Sequence, residues 1–239
     1  MAGRIERAMV LAAGRGVRLR PLTDHLPKPL VPIGGIAMLD RALDALARAG
    51  VSQAVVNVHH LALQIEARLA TREKPAISIS REDELLETGG GIAKAISHFD
   101  DEPFFAANAD IVWLDGKTPA LARLAEAWDG GRMDALLLVQ PVARAVGYDG
   151  VGDFTLTGDG RLERRGSAPS APFVFAGVQI LHPRLFENAP SGAFSLNLLY
   201  DRAHAAGRLF GLAHDGGWLH VGTMDGLAAA ERALVGQGG

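Results

Sequence analysis

The chain has 239 residues, of which 48% are hydrophobic and 21% are charged, and its formal net charge at pH 7 is −3. This length suits one α/β domain that buries its own core, and the absence of cysteine excludes thiol catalysis, zinc–thiolate sites and iron–sulfur clusters. The slightly acidic charge balance and the short apolar runs argue against nucleic-acid partners and membrane spans, so a soluble cytoplasmic protein is expected.

The first half of the chain alternates between short apolar strands and amphipathic helices. Strands are predicted at 8–13, 54–58, 76–80 and 103–107, and helices at 37–49, 61–69 and 91–99. A loop with four prolines follows the first strand, and proline at this density disfavours both helix and central strand. The alternation predicts an α/β fold with a Rossmann-like, mostly parallel sheet and helices on both of its faces.

The second half is less regular, but no linker separates it from the first. Strands are predicted at 135–139 and 173–181, a hairpin at 153–162, and helices at 196–206 and 225–235. We therefore expect a single domain over residues 1–239. The segment from Arg164 to Pro172, which is rich in arginine, serine and proline, is predicted to be a mobile loop and the place to look for a lid.

The loop after the first strand carries the residues best suited to chemistry. Gly14 and Gly16 have no side chain, so the backbone N–H groups around them can approach a polyphosphate closely. Arg18 and Lys28 belong to the same loop and supply positive charge for phosphate oxygens. The dinucleotide-binding fingerprint lacks its third glycine, and a P-loop fails because Ala93 precedes the lysine that follows the triple glycine. The sequence therefore predicts a phosphate site of another kind.

Several ordered motifs resemble those of one enzyme family. Residues 11–23 follow the pattern Leu-Ala-Ala-Gly-x-Gly-x-Arg-Leu-x-Pro-Leu-Thr, and Lys-Pro-Leu comes shortly afterwards. Further matches are Leu-Glu-Thr-Gly-Gly-Gly at 86–91, Asn-Ala-Asp at 108–110, Gly-Asp-Phe at 152–154, Phe-Ala-Gly at 175–177 and Trp-Leu-His-Val-Gly-Thr at 218–223. With these motifs the chain resembles the sugar-phosphate nucleotidyltransferases, and within them most resembles the N-acetylmuramate 1-phosphate uridylyltransferases. The resemblance implies the nucleotidyltransferase fold with a small sugar-binding subregion.

The resemblance also implies a reaction and a division of the domain. UMP would pass from UTP to a sugar 1-phosphate, N-acetylmuramate 1-phosphate first among them, with release of pyrophosphate. Residues 1–112 would form the nucleotide-binding half and residues 113–239 the sugar-phosphate-binding half. The partners would be the nucleoside triphosphate and the sugar 1-phosphate, the oligomeric state stays open, and Mg²⁺ would be the cofactor, with Mn²⁺ as the possible substitute.

The same resemblance assigns roles to residues of this chain. The catalytic residues would be Arg18 on the β- and γ-phosphates, Lys28 near the α-phosphate, and Asp110 as a metal ligand. The implied nucleotide-binding residues are Ala12, Ala13, Gly14, Gly16, Glu82, Thr88, Gly90 and Gly91. The implied sugar-binding residues are Asn108, Asp153 and Gly177. The implied metal ligands are Asp110 and His220.

Some of these assignments compete with simpler interpretations. The Glu82 carboxylate would accept the ring N–H of uracil, or it would belong to a solvated acidic face together with Glu84 and Glu87. Thr88 would contact the nucleotide, or it would be the N-cap of a helix that begins at the glycines.

Two departures from the family pattern leave further alternatives open. His220 stands where most relatives carry an aspartate, and imidazole suits Mn²⁺ better than Mg²⁺. His220 would bind the metal, contact phosphate or only pack, and Asp225 would replace it as a ligand or cap the last helix. A Glu-Lys-Pro tripeptide is missing, so Arg164 or Arg165 would supply charge for the sugar phosphate.

Two other functions remain as alternatives. The chain would use GTP with mannose or heptose 1-phosphate, since such enzymes share the glycine and Lys-Pro-Leu motifs. It would otherwise be a catalytically weak regulatory paralogue that binds nucleotide, an alternative prompted by His220.

Overall fold

The computed structural model describes residues 4–235. The strands are β1 (Arg7–Leu11), β2 (Pro32–Ile33), β3 (Ile36–Ala37), β4 (Gln53–Val58), β5 (Ala76–Arg81), β6 (Phe104–Asn108), β7 (Ile111–Leu114), β8 (Ala135–Pro141), β9 (Ala145–Val146), β10 (Phe154–Leu156), β11 (Leu162–Arg164), β12 (Phe173–Leu181), β13 (Leu209–Ala213) and β14 (Gly217–His220). The α-helices are α1 (Met38–Arg48), α2 (Ala62–Leu69), α3 (Glu87–Ala95), α4 (Ala120–Ala127), α5 (Asn197–Ala205) and α6 (Met224–Val235). None of the described helices is long and apolar enough to span a membrane.

A mixed central sheet organises the domain. Strands β5, β4, β1 and β6 lie side by side and run parallel, and β12 joins β6 in the antiparallel direction. Strand β12 then pairs with both β8 and the β10–β11 hairpin, and β13 lies parallel to β8. The predicted α/β sheet and the hairpin are confirmed. The two halves of the chain share this sheet, because β12 of the second half lies against β6 of the first.

Helices cover both faces of the sheet, as the alternation of its residues requires. In β1, Ala8 and Val10 point into a core that also contains apolar side chains of α1, α2 and α4. Met9, between them, points into the opposite core, which contains apolar side chains of α3 and α5. Because both faces are filled, the carboxyl ends of β1, β4 and β6 form the edge at which an open α/β sheet binds ligands.

A second, three-stranded sheet lies outside the elements predicted from the sequence. Strand β14 pairs antiparallel with β7 and parallel with β9. Trp218 of β14 is buried and donates its indole N–H to the carbonyl of Ala176 at 2.9 Å. This contact attaches the small sheet to the bulged strand β12 of the central sheet. Residues of the Trp-Leu-His-Val-Gly-Thr motif thereby reach the same edge as the ends of β1 and β6.

Helix α3 begins four residues earlier than predicted, and its glycines are packed against other segments. The N–H groups of Gly89 and Gly90 both donate to the carbonyl of Phe194, at 2.9 and 3.2 Å. A Cβ on Gly91 would lie 2.8 Å from Asn57 Nδ2 and equally close to Glu82 Oε1. The three glycines therefore let the helix approach its neighbours more closely than any side chain would permit.

Replacing Gly90 by alanine is expected to lower the free energy of unfolding by about 1–3 kcal/mol. The new Cβ would press against the Gly192 carbonyl oxygen, a backbone atom that cannot rotate away. Helix propensity alone predicts the opposite, a gain of about 1 kcal/mol. Urea unfolding measures the difference, with Gly158→Ala as the control because its Cβ would meet no atom within 4 Å. Unchanged or higher stability of Gly90→Ala would contradict this account of the packing.

Candidate functional site

A cavity of about 330 Å³ opens at the carboxyl ends of β1, β4 and β6. Its walls combine the loop after β1, the start of α3, residues at the end of β6 and Gly222, which follows β14 of the small sheet. The lining residues are Leu11, Ala12, Ala13, Gly14, Gly16, Val17, Arg18, Lys28, Pro29, Asn57, Leu85, Glu87, Thr88, Asn108, Asp110 and Gly222. The structure thus brings together Ala12, Ala13, Gly14, Gly16, Arg18, Lys28, Thr88, Asn108 and Asp110 of the predicted site residues.

The turn after β1 depends on glycine for its shape. Gly16 has φ +62°, a left-handed conformation that side chains rarely adopt, and its carbonyl accepts hydrogen bonds from the Leu19 N–H and the Thr23 hydroxyl, both at 2.9 Å. A Cβ at Gly16 would lie 2.9 Å from the Cβ of Lys28. Gly14 has no atom within 4 Å of the position of a Cβ, so its open side faces the cavity. The turn is therefore closed towards Lys28 and open towards a ligand.

An ion pair joins the proline-rich loop to the end of β6. Lys28 Nζ lies 2.6 Å from Asp110 Oδ2, and 10% of the lysine side chain is exposed compared with 36% of the aspartate side chain. Pro27 and Pro29 restrict the backbone on both sides of the lysine. Arg18 lies on an exposed part of the rim. A triphosphate in this cavity would meet one cation held in an ion pair and one exposed cation.

Glu82 occupies a different position from the one expected of a base-binding group. It is 3% exposed, and its two oxygens accept hydrogen bonds from Asn57 Nδ2 at 2.7 Å and from the Leu86 N–H at 3.0 Å. Asn57 in turn accepts a hydrogen bond from the Ala12 N–H at 2.8 Å. The carboxylate therefore stands behind the cavity wall and positions Asn57, which lines the cavity. The interpretation as a solvated acidic face is wrong as well, because Glu82 is buried.

The start of α3 also differs from the expectation. Helix α3 begins at Glu87, its N-cap is Leu86, and the hydroxyl of Thr88 accepts a hydrogen bond from the Leu196 N–H at 3.0 Å, so Thr88 is not the N-cap. Gly90 and Gly91 are buried in the helix rather than exposed to the cavity. Glu87 lines the cavity with φ +58°, a strained conformation for this residue type. Sequence reasoning missed Glu87, and only its place beside the triple glycine pointed to it.

A second cavity of about 270 Å³ adjoins the first and shares the lining residues Leu11, Thr88 and Asn108 with it. Polar groups of β11, β12 and α5 complete its walls. Asp153 Oδ2 accepts a hydrogen bond from the Phe175 N–H at 3.0 Å. The predicted sugar-binding residues Asn108 and Asp153 therefore line the same chamber.

Two buried residues that the sequence analysis did not select form part of this second chamber. The Tyr200 hydroxyl donates to Gln179 Oε1 at 2.7 Å. Burial raises the pKa of Tyr200, so its hydroxyl keeps its proton and remains a donor. Both residues lie inside apolar strand and helix patterns, which is why no sequence signal distinguished them.

Gly177 and Arg165 make packing and hydrogen-bond contacts within the protein and do not line the second cavity. Gly177 has φ +80° where β12 changes register against β8, and a Cβ there would lie 2.6 Å from Ile111 Cδ1, so protein atoms fill the space expected for a sugar. Arg165 donates from Nε to the carbonyl of Gly152 at 3.1 Å and from Nη1 to that of Ala168 at 2.7 Å. These bonds tie down the loop predicted to be mobile, and its motion stays a prediction.

His220 lies near the ion pair and in an aromatic cluster. Strand pairing sets it opposite Ile111, the residue after Asp110, and its ring stacks on Trp218 with the ring centres 5.7 Å apart. Burial lowers the pKa of His220, and the positive charges of Lys28 and Arg18 lower it further. Its imidazole is therefore uncharged at neutral pH.

The comparisons with known proteins agree with this architecture. A family model described as Nucleotidyl transferase matches residues 7–236. The chain is 43% identical over 233 residues to a Caulobacter vibrioides protein named N-acetylmuramate alpha-1-phosphate uridylyltransferase, covering 95% of this chain and 96% of the relative. A protein of the same name from Neisseria meningitidis serogroup B is 32% identical over 234 residues, covering 96% of this chain and 98% of the relative. Among solved structures, UDP-glucose pyrophosphorylase complexed with UDP-glucose shares the fold with a TM-score of 0.79 at 20% identity, covering 98% of this chain and 99% of that one.

The Glu82→Gln variant tests whether Glu82 positions Asn57 in the cavity wall or contacts the nucleotide base. A carboxamide would turn an NH₂ group towards the N–H of Asn57 or of Leu86, and one such mismatch is expected to lower the free energy of unfolding by about 1–3 kcal/mol. Urea unfolding and nucleotide affinity are measured on Glu82→Gln and on Glu84→Gln, an exposed neighbour. Weaker nucleotide binding with unchanged stability would restore the original base-contact hypothesis.

Proposed function

The chain belongs to the nucleotidyl transferase family, and from this premise we propose that it transfers a uridylyl group from UTP to a sugar 1-phosphate, N-acetylmuramate 1-phosphate first among them. The observation that carries the proposal is the pair of adjoining cavities, one beside the glycine turn and cations, the other lined by polar side chains. The full-length relatives named for this reaction support the choice of nucleotide and sugar. Synthesis of the nucleotide sugar in the cytoplasm, as part of cell-wall recycling, belongs to the same proposal.

The chemistry asks mainly for positioning and for charge neutralisation. An oxygen of the sugar phosphate attacks the α-phosphorus of UTP, the bond from that phosphorus to the bridging oxygen breaks, and the electron pair leaves with pyrophosphate. The attacking oxygen is already anionic, so no general base is required. Lys28, held by Asp110, would stabilise charge near the α-phosphate, and Arg18 on the rim would hold the outer phosphates.

The residues present suit a magnesium ion shared between protein and nucleotide. Within residues 4–235 no three histidine or acidic side chains form a metal-binding group, and Mg²⁺ commonly uses one or two carboxylates together with phosphates and water. Asp110 would supply the carboxylate, and uncharged His220 would stand beside it, a donor that also suits Mn²⁺. Asp225 lies within the first turn of α6 and does not cap it, because the Thr223 hydroxyl accepts the hydrogen bond from the Gly226 N–H at 3.1 Å. When bound, the ion would neutralise the triphosphate.

Lys28→Ala is expected to reduce kcat/KM for the transfer by about 10²–10³, because one preorganised charge contact in the transition state is lost. The change in Tm should be small, since the Asp110 side chain is partly exposed and water can solvate it. Lys117→Ala, at an exposed position outside the cavity, is the control. Pyrophosphate release measures both variants, and activity of Lys28→Ala close to that of the parent would remove Lys28 from the mechanism.

The choice of nucleotide tests the proposal as a whole. We expect UTP to raise Tm more than dTTP, CTP or GTP, and pyrophosphate release to require both UTP and a sugar 1-phosphate. The largest response to GTP would replace the uridylyl assignment by guanylyl transfer to mannose or heptose 1-phosphate. Tight nucleotide binding without turnover, with Mg²⁺ or Mn²⁺ and any of these sugar phosphates, would indicate a regulatory paralogue.

A further inference from the structure

The second cavity, called the sugar chamber from here on because the predicted sugar-binding residues line it, contains a cation that the proposed reaction does not use. This cation is Arg164. Of the described residues that line this second cavity, Asp153 and Arg164 are the ones that carry charge, and the others are amides, hydroxyls or apolar side chains. Asp153 and the amides suit the hydroxyl and acylamino groups of a sugar, which donate as well as accept hydrogen bonds. A guanidinium only donates, so its presence needs a separate explanation.

The guanidinium of Arg164 is held in place from several sides. Its Nε lies 3.0 Å from Asp201 Oδ1, and its Nη1 donates to Asn197 Oδ1 at 2.9 Å, both on α5. The guanidinium carbon lies 5.3 Å from the centre of the Phe154 ring. The hydrogen bond to Asn197 occupies one of the five N–H donors, and 28% of the side chain remains exposed. A fixed guanidinium with free donors in a ligand chamber matches a planar anion.

The position of Arg164 suits a carboxylate of the substrate better than its anomeric phosphate. The anomeric phosphate has to reach the α-phosphorus of the nucleotide, beside Lys28 and Asp110 in the first cavity. Arg164 does not line that cavity, and neither do its partners Asn197 and Asp201 on α5. A second anionic group, elsewhere on the sugar, would meet it.

We propose that Arg164 selects sugar 1-phosphates that carry a carboxylate on the ring substituents and so excludes neutral sugars from efficient transfer. The inference rests on the proposed function, which it deepens by naming the recognised group. It gives Arg164 a role in specificity rather than the phosphate-binding role expected from the sequence. The carboxylate would receive two parallel hydrogen bonds from the guanidinium, the arrangement that favours arginine over lysine.

Two substrates that differ in the lactyl ether, the substituent that carries the carboxylate, test the proposal. N-acetylmuramate 1-phosphate and N-acetylglucosamine 1-phosphate share the ring and the acetamido group, and only the former carries a lactyl carboxylate. We expect Arg164→Gln to lower kcat/KM for the acidic substrate by about 10- to 100-fold, the loss typical of a hydrogen bond to a charged group. The value for the neutral substrate and the KM for UTP should stay within about threefold of the parent. Equal losses on both substrates would overturn the proposal and point to the anomeric phosphate.

Asp201→Asn distinguishes recognition from a structural role. This variant weakens the same ion pair to α5 but keeps the Arg164 guanidinium. If Arg164 only anchors β11 to α5, the two variants will lose Tm together and neither will change the preference between substrates. We expect Arg164→Gln to lose the preference and Asp201→Asn, which keeps a less restrained guanidinium, to retain most of it. An equal loss in the two variants would overturn the proposal. Should Arg164→Gln not fold, Arg164→Lys must lower the preference by at least about threefold, since lysine lacks the fork.

A binding measurement separates this inference from the proposed function. Calorimetric titration of the intact protein with each sugar 1-phosphate, without nucleotide, measures the preference for the carboxylate in the absence of turnover. Absence of transfer with UTP would defeat the proposed function, while tighter binding of the acidic sugar that depends on Arg164 would still support the inference. Transfer from UTP with no preference for the acidic sugar would support the proposed function and overturn the inference about Arg164.

Discussion

The ion pair between Lys28 and Asp110 connects the parts of this molecule that have to act together. The two residues are separated by 82 positions, one in a proline-rich loop and the other just beyond β6. With only a small part of the lysine exposed, its charge needs a partner, and Asp110 supplies it while directing the cation towards the cavity. The glycine turn packs against the same lysine, so the loop, the sheet edge and the charge meet at one contact.

Backbone proximity is the second constraint on the site. Glycines in α3 let that helix approach the segment at 192–194 and the buried pair of Asn57 and Glu82. That pair holds the first N–H after β1 through Asn57. A chain of short-range contacts therefore leads from the helix to the glycine turn, and the buried Glu82 carboxylate takes part in it by accepting hydrogen bonds on both oxygens.

Residues close together in sequence were the ones that sequence reasoning placed correctly in one cavity. Gly14, Gly16, Arg18 and Lys28 all belong to one loop, and their chemistry is legible from residue type and spacing. Glu82 was misplaced because an acidic residue among acidic neighbours gives no indication of burial, and its partner Asn57 lies 25 positions away. Gly177 was misplaced for a similar reason, since the atom that fills the space above it belongs to β7.

By itself the sequence determined the alternation of strands and helices and the family, because these depend on local periodicity and on ordered motifs, and it predicted a phosphate site in the first loop. Only the tertiary structure decided that the small sheet sets His220 opposite Ile111, the residue after Asp110, that Glu82 faces inward, and that Arg164 lines the second cavity. Each of these depends on contacts between segments far apart in the chain, and the register and packing that create such contacts are set by the whole fold.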